Sequence, residues 1–362
     1  MWPAFAAASA SEFAALLAKH FISLGMGAGG DPAAREPTWA TSNTIALELN
    51  SVRLRDFSAA KDGVATLLCA PFALHGAAVA DLAPGHSLVV ALRDAGLRRL
   101  FVTDWRSATV QMRLLGIDDY LAALNVLVDE LGGIVDLIGL CQGGWLSLLY
   151  AARFPTKVRK LVLAGAPIDI SAGQSALSAL ADASPLALFH ELVKLGDGRV
   201  LGRKVQKFWG AETIDTDDIR RMLQTPEPIG SPAFAALEAR LREWHAWTID
   251  LPGTYYLEVI EKLYKRNEIA TGQFIALGAP IDLANMRTPL YLLAARDDEL
   301  VAPAQLFATE HLVGTPAHAI AKALAPCNHV GLFMGRTILG DCWPRIARWV
   351  IEPAMQNLAP AA

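Results

Sequence analysis

The hydrophobic positions of this chain form two patterns that alternate along its first half. Short apolar runs of strand length cover residues 64–70, 99–104, 134–139 and 160–165, and helical patterns separate them. Before them, residues 43–58 alternate apolar and polar positions in two runs joined near Asn50, which is typical of antiparallel strands. Buried strands that alternate with helices predict an α/β fold with a mostly parallel sheet and helices on both faces.

The pattern changes after residue 170. Residues 171–285 are helical in pattern and rich in large aromatic side chains, and the sheet pattern resumes at 289–295 and 318–323 before a closing helix near 343–351. An insertion between two strands of one sheet predicts a cap over the carboxyl ends of the strands, where open α/β folds bind ligands. The predicted organisation is therefore an N-terminal helix and loop (1–42), a core (43–170 and 286–362) and a helical cap (171–285).

The composition excludes several classes of protein. The 362 residues carry a formal net charge of -4, so no basic surface for nucleic acid is expected. Hydrophobic residues make up 53% of the chain, yet no run approaches the roughly 18 apolar residues of a transmembrane segment. That apolarity must therefore lie in a core, in an interface or against an apolar partner, and a homodimer is left open.

Neither the N-terminal segment nor the cysteines indicate export. Phe13, Leu16, Leu17 and Phe21 form one apolar helical face, which either packs on its own domain or binds a surface. The four cysteines show no C-x-x-C pair and no metal-ligand spacing, which favours reduced thiols in a cytoplasmic protein. No P-loop, His-x-x-x-His or G-x-G-x-x-G pattern follows a strand, so no metal or organic cofactor is expected.

One cysteine occupies a corner between a predicted strand and a predicted helix. The stretch "VDLIGLCQGGWLSLLY" places Cys141 in a G-x-C-x-G motif, which is typical of a strained elbow that exposes a nucleophile at the top of a sheet. There the thiol also lies at a helix N-terminus, which favours thiolate. The alternative is a buried cysteine that packs as a small apolar residue. The strand–elbow–helix context favours the nucleophile.

A nucleophile of this kind needs a base and an acid that orients the base, and on this fold they follow in the order nucleophile, acid, histidine. Asp297 and Asp298 directly follow an apolar strand, and Asp298, which heads an Asp-x-x-Val pattern, is the predicted acid with Asp297 as the alternative. His329, in the loop "PCNHVGLFMG", is the one histidine of eight in the expected place. Cys141, Asp298 and His329 are therefore the predicted catalytic residues.

Stabilising an oxyanion requires two backbone N–H groups aimed at it. Gln142, the residue after the nucleophile, is predicted to supply one of them. The second is expected from the loop "APFALHG" after the first parallel strand. Pro71 has no N–H, so Phe72 or Ala73 is the candidate.

These motifs resemble polyhydroxyalkanoate enzymes over roughly Thr66 to Val350. "GLCQGG" around Cys141 is similar to the lipase-like box of the synthases, which carry cysteine there, as is "ALGAPIDLANMRTPLYLLAARDD" leading to Asp298. "VTDW", "IDDY" and "GAPID" resemble segments of both the synthases and the intracellular depolymerases. The resemblance implies an α/β-hydrolase fold with an inserted cap and an acyl-cysteine intermediate. Asp104 in "VTDW" is expected to tie down a neighbouring loop rather than to take part in catalysis.

Other segments resemble the depolymerases more closely. They are "APFALHGA", the cap segment "DLPGTYYLEVIEKLY" and "HVGLFMGR" around the histidine, although the depolymerase box departs from G-x-C-x-G after the glutamine. The favoured expectation is accordingly an intracellular poly-3-hydroxybutyrate depolymerase. The alternatives are a synthase that uses hydroxyacyl-CoA, another thioesterase or esterase, and a non-catalytic granule-coat protein. If the protein is a depolymerase, a synthase or a granule-coat protein, it is expected in the cytoplasm, on polymer granules.

Overall fold

The computed structural model describes residues 35–208 and 214–352. The predicted N-terminal helix around Phe13 lies outside the described residues. The fourteen strands in this part of the chain are β1 Thr44–Glu48, β2 Val52–Asp56, β3 Ala65–Cys69, β4 Asp81–Ala83, β5 His86–Ser87, β6 Leu100–Trp105, β7 Val135–Leu140, β8 Val158–Ala164, β9 Arg199–Val200, β10 Leu251–Pro252, β11 Ile275–Ala276, β12 Ala279–Pro280, β13 Leu290–Ala295 and β14 Ile320–Ala325.

Eight of these strands form one sheet in the order β1-β2-β6-β3-β7-β8-β13-β14. β1 pairs antiparallel with β2, and β2 pairs antiparallel with β6. The remaining neighbours are parallel, so the carboxyl ends of β3, β7, β8 and β13 meet at one edge. The mostly parallel sheet predicted from the alternating pattern is confirmed.

Helices cover both faces of the sheet because successive strand residues point to opposite sides. Leu67 and Leu137 pack on one face with the helices that follow β6 and β7, whereas Leu68 and Ile138 pack on the other face. The described helices are Leu88–Asp94, Ile117–Glu130, Gln142–Arg153, Ala176–Ala183, Leu186–Leu195, Gly202–Phe208, Thr216–Leu223, Pro232–Ala246, Gly253–Glu258, Pro303–Phe307, Thr309–Leu312, Gly331–Met334 and Arg336–Ile351.

The closing helix begins at Arg336, earlier than the apolar pattern near Trp343 predicted. Pro344 lies inside this helix. Proline is rare in a helix interior, so a helix that begins before Pro344 runs against local propensity.

The chain between β8 and β13 leaves the sheet and returns to it, and we refer to residues 171–285 as the cap segment. Backbone hydrogen bonds tie it to loops at the carboxyl edge of the sheet. Among them are Ile249 N–H to the Leu74 oxygen (3.0 Å), Ala108 N–H to the Asp250 oxygen (2.9 Å) and Tyr255 N–H to the Leu115 oxygen (3.0 Å). The domain boundaries themselves stay predictions. A π-helix, Val259–Lys265, directly continues the α-helix Gly253–Glu258.

Candidate active site

Cys141 lies between β7 and the helix Gln142–Arg153, in a backbone conformation that L-residues rarely adopt. Its φ is 49° and its ψ is -119°. The Cys141 N–H donates to the Ala164 oxygen at 2.8 Å, and the Cys141 carbonyl accepts from the Gly144 N–H at 2.9 Å. These bonds hold the strained corner from both sides, as a nucleophile elbow requires.

The glycines of the elbow are required by close backbone approaches. A Cβ atom on Gly143 would lie 2.2 Å from the Cys69 carbonyl oxygen, at the end of β3. A Cβ atom on Gly139 would lie 2.5 Å from the Gly144 Cα. The G-x-C-x-G spacing therefore lets the helix start directly against two strands, which keeps Cys141 at the carboxyl edge of the sheet.

The four thiols occupy different environments. Cys141 is half-buried, whereas Cys69 and Cys327 are buried. Burial raises the pKa of the Cys69 thiol to about 12. Burial also raises the pKa of Cys327 to about 12, with the charge of Cys342 adding to the effect. Cys69 and Cys327 therefore remain protonated at neutral pH.

His329 is held by one of the two adjacent aspartates. Its Nδ1 lies 2.7 Å from the Asp298 Oδ2, and the two side chains are 9% and 1% exposed. The second Asp298 oxygen accepts the backbone N–H groups of Leu300 and Val301, each at 2.9 Å, which fixes the carboxylate. Asp297 is exposed, and its N–H donates to the Cys327 oxygen. The structure therefore brings Asp298, and not Asp297, to the histidine.

The surroundings of His329 favour its charged form. Burial by itself lowers the pKa of the imidazole, but the charge of Asp298 and the interaction with Cys141 outweigh burial, and the pKa of His329 is raised well above its usual range. His329 Cε1 lies beside Gly165, at the end of β8. The ring thus lies between a carboxylate and a thiol, an arrangement in which it can hold a proton for transfer to a leaving group.

The loop after β3 is fixed at its first residue. Thr103 Oγ1 accepts the Ala70 N–H at 2.9 Å, and the Trp105 indole N–H donates to the Ala70 oxygen at 2.9 Å. In the described part of the chain, the N–H groups of Phe72 and Ala73 donate to no protein acceptor. Neither N–H of this loop thus has an acceptor among residues 35–208 and 214–352, and the role of Phe72 or Ala73 as an oxyanion donor stays a prediction.

Aromatic side chains from the core and the cap segment pack beside this loop. The Phe72 ring lies 4.5 Å from Tyr120, 5.0 Å from Tyr255 and 5.9 Å from Trp105, measured between ring centroids. All four side chains are buried. Burial raises the pKa of the Tyr255 phenol, and the charge of Cys141 adds to the rise. Tyr255 therefore lies near the Cys141 thiol. The cluster gives the site a water-poor wall.

Gln142 makes contacts that sequence reasoning missed. Its side-chain nitrogen donates to the Tyr264 hydroxyl oxygen at 2.8 Å, across 122 residues of chain. "DLPGTYYLEVIEKLY" drew attention to this cap segment, but no pattern in the sequence pairs Gln142 with Tyr264.

Asp104 links two adjacent strands, β6 and β2, rather than a strand and a loop. Its Oδ2 accepts from Arg55 Nε on β2 at 2.7 Å. Its role in the fold is therefore structural, as expected, but its partner is not the predicted one, because an arginine on an adjacent antiparallel strand leaves no signal in a local motif.

Within residues 35–208 and 214–352, no group of three or more His, Cys, Asp or Glu side chains is placed to hold a metal ion. In the same residues no single helix is long and apolar enough to span a membrane, although the bent pair Ala176–Ala183 and Leu186–Leu195, which meet at 95°, passes the same criterion of length and composition.

Comparison with known proteins identifies the family. The family model described as alpha/beta hydrolase fold matches residues 85–335, and the chain belongs to this family. Among solved structures, the monoacylglycerol lipase of Paleococcus ferrophilus superposes with a TM-score of 0.52 at 14% identity, over 83% of this chain and 98% of that one. A putative aryl esterase from Burkholderia cenocepacia also reaches 0.52 at 13% identity, over 86% and 99%. At these identities the likeness concerns the fold alone.

Sequence relatives are more specific. The chain is similar to the poly(3-hydroxyalkanoate) polymerase subunit PhaC of Synechocystis sp., at 28% identity over 75% of this chain and 74% of that protein. It is similar to PhaC of Allochromatium vinosum at 25% identity, over 75% and 76%. PhaC of Haloferax mediterranei is also 25% identical, over 76% of this chain and 56% of the relative. The resemblance to the polyhydroxyalkanoate enzymes is thus confirmed, and the named relatives are on the synthase side.

Proposed function

We propose that this protein is an acyltransferase of the polyhydroxyalkanoate polymerase type, which builds polyester from hydroxyacyl-CoA on Cys141. The observation that carries the proposal is the similarity to PhaC subunits over three quarters of the chain, on a fold with cysteine at the elbow. The sequence alone favoured the depolymerase, and the comparisons favour the synthase alternative instead.

The proposed first half-reaction forms an acyl-cysteine. The Cys141 thiol gives its proton to His329 and its sulfur attacks the thioester carbonyl. The oxyanion that develops binds the N–H of Gln142 together with that of Phe72 or Ala73. As the carbonyl re-forms, the carbon–sulfur bond to CoA breaks and His329 gives its proton to the departing thiolate. Asp298 holds the imidazole in position through the 2.7 Å bond to Nδ1.

The second half-reaction lengthens the acyl chain by one unit. His329, now neutral, takes the proton of the hydroxyl group of a second hydroxyacyl-CoA, whose oxygen attacks the acyl-cysteine carbonyl. An ester bond forms, the carbon–sulfur bond to Cys141 breaks, and the lengthened acyl-CoA then acylates Cys141 again through the first half-reaction. Water must be kept from this intermediate, and the buried aromatic cluster of Phe72, Tyr120 and Tyr255 supports that requirement. In this proposal the cap segment is the cover of the site, and the protein works in the cytoplasm at the surface of polymer granules.

Hydrolysis of the same polyester is the second candidate. It uses the same residues, with water as the second nucleophile, and the segments "APFALHGA", "DLPGTYYLEVIEKLY" and "HVGLFMGR" favour it through their resemblance to depolymerases.

The test offers the purified protein 3-hydroxybutyryl-CoA and, separately, amorphous poly-3-hydroxybutyrate. We expect release of CoA together with high-mass polymer, and neither product from the Cys141→Ala variant. Soluble hydroxyacids from the polyester, with no polymer from the CoA ester, would replace the proposal with hydrolysis.

A further inference from the structure

The side chain of Gln142 is bonded at both of its ends. Its Nε2 donates to the Tyr264 hydroxyl oxygen at 2.8 Å, and its Oε1 accepts from the Trp145 indole N–H at 2.6 Å. Trp145 belongs to the same helix and is fully buried. The Gln142 amide is thus a fixed link between the first turn of the elbow helix and the cap segment.

Tyr264 reaches this link from an unusual element. It belongs to the π-helix Val259–Lys265, and π-helical turns within helices are rare and frequently occur at functional sites. Burial raises the pKa of the Tyr264 phenol, the bond with Gln142 opposes the rise, and the charge of Cys141 adds to it. The phenol is therefore neutral at physiological pH and lies near the Cys141 thiol.

We propose that Tyr264 is a positioning residue for the oxyanion hole, because its hydroxyl fixes Gln142 and with it the Gln142 backbone N–H beside Cys141. This inference rests on the acyl-transfer function proposed for Cys141. The Gln142 N–H is at the first position of its helix, where no carbonyl of the helix receives it. The direction of this N–H follows from the orientation of Gln142, and Tyr264 and Trp145 together restrain Gln142.

The consequence is that the cap segment completes the catalytic geometry as well as covering it. A developing oxyanion is stabilised only by donors already aimed at it, and loss of one such donor lowers kcat by roughly 10²–10³. Loosening a donor costs less than deleting it. Because the oxyanion forms in the transition state, the effect should fall on kcat and not on KM.

The experiment measures acylation with a p-nitrophenyl ester in Tyr264→Phe. We expect kcat to fall about tenfold, with KM changed less than about twofold. Tyr256→Phe is the matched control, because among the described residues the Tyr256 hydroxyl is buried and has no hydrogen-bond partner. Its removal breaks no bond, and kcat should stay unchanged. An unchanged kcat in Tyr264→Phe, or an equal loss in both variants, would overturn the inference.

A double-mutant cycle tests whether Tyr264 acts through Gln142. Gln142→Met keeps the length of the side chain and removes the amide, so its kcat should fall at least as far as that of Tyr264→Phe. In the Gln142→Met background, Tyr264→Phe should have no further effect. Additive losses would contradict a role through Gln142. If Tyr264→Phe does not fold, as judged by circular dichroism, Gln142→Met against Tyr256→Phe gives the same decision.

The readout separates this inference from the function on which it rests. Acylation of Cys141 is common to polymerisation and hydrolysis, so the measured rate does not depend on the later fate of the acyl group. If Cys141→Ala retains the esterase activity, the proposed function fails and the inference fails with it. If Cys141→Ala is inactive and Tyr264→Phe matches the wild type, only the positioning role of Tyr264 is contradicted.

Discussion

At the scale of single residues, the half-buried thiol of Cys141 contrasts with the buried thiols of Cys69 and Cys327. Cys141 could be singled out from sequence because a G-x-C-x-G corner between strand and helix has few other uses. The choice of Asp298 over Asp297 also followed from a local pattern, and in the structure the Asp298 carboxylate is held by the backbone N–H groups of Leu300 and Val301. Tyr264 could not be found in this way, since its contact with Gln142 depends on how distant segments pack.

The contrast between thiols predicts selective alkylation. Iodoacetamide reacts with thiolate, and burial holds the pKa of both Cys69 and Cys327 at about 12. At neutral pH we expect Cys141 to be labelled at least about tenfold faster than either, as read by peptide mass spectrometry. A Cys342→Ala variant serves as the control and should leave the labelling of Cys141 unchanged. Equal rates at all thiols of the folded protein would remove the case for an activated Cys141.

The carboxylate beside His329 gives a second prediction at this scale. Asp298→Asn removes the negative charge that raises the pKa of His329, so the imidazole should lose its proton at lower pH. Acyl transfer should slow by a factor of about 10⁴, with folding intact, because the acid also fixes the tautomer and orientation of the ring. Asp297→Asn, a change to an exposed neighbour, should leave the rate near that of the wild type. The reverse result would show that the acid is Asp297.

At the scale of elements, the strand–elbow–helix unit was predictable and the π-helix was not. Apolar runs of strand length and the glycines around Cys141 are local features, and the structure places β7 and its helix where they indicate. Whether a turn is α or π depends on which carbonyl oxygen each N–H bonds to. The composition of Val259–Lys265 does not distinguish a π-helix from an α-helix.

The elbow predicts a costly substitution. Gly143→Ala places a Cβ atom 2.2 Å from the Cys69 carbonyl oxygen, so either strand or helix must shift. We expect a loss of about 1–3 kcal/mol in the free energy of unfolding, measured in urea, with loss of acyl transfer. Gly340→Ala is the matched control in a helix, because nothing lies within 4 Å of its Cβ position. It should be neutral or stabilising by up to about 1 kcal/mol. Equal stability in the two variants would contradict this account of the elbow.

At the scale of the whole molecule, the contact between the core loop and the cap segment is the feature that sequence reasoning located but could not describe. His75, in the loop after β3, packs against Trp244 and His245 of the cap segment, with ring centroids 4.6 Å and 5.0 Å away. His75 and His245 are far apart in the sequence, so no local pattern predicts their contact. The direction of the reaction is equally hidden, because in the proposed mechanism hydrolysis and polymerisation use the same three residues, Cys141, Asp298 and His329.

This contact predicts acid sensitivity. Burial lowers the pKa of His75 to about 3 and that of His245 to about 4 in the folded protein. Unfolded histidine binds its proton near pH 6.5, so the stabilising contribution is complete above that pH and is lost as the pH falls towards 3. Each such histidine should give stability a slope of about 1.4 kcal/mol per pH unit within this window.

The test is urea unfolding between pH 7 and pH 4.5. His245→Phe retains a ring beside His75 and removes one titrating group, so its stability should depend less steeply on pH than that of the wild type. His318→Gln, a change at an exposed histidine, should keep the wild-type slope. An unchanged slope in His245→Phe would contradict the assignment of the effect to this contact.

The central claim is that Cys141 carries the growing acyl chain and passes it to a hydroxyl group rather than to water. Intact-protein mass spectrometry after rapid acid quench, during turnover of 3-hydroxybutyryl-CoA, tests it most directly. The account predicts a ladder of successive hydroxybutyryl units on the wild-type protein, located by peptide mapping at Cys141, and no adduct on Cys141→Ala. A single unit on Cys141 that never lengthens, accompanied by free hydroxybutyrate, would contradict the account.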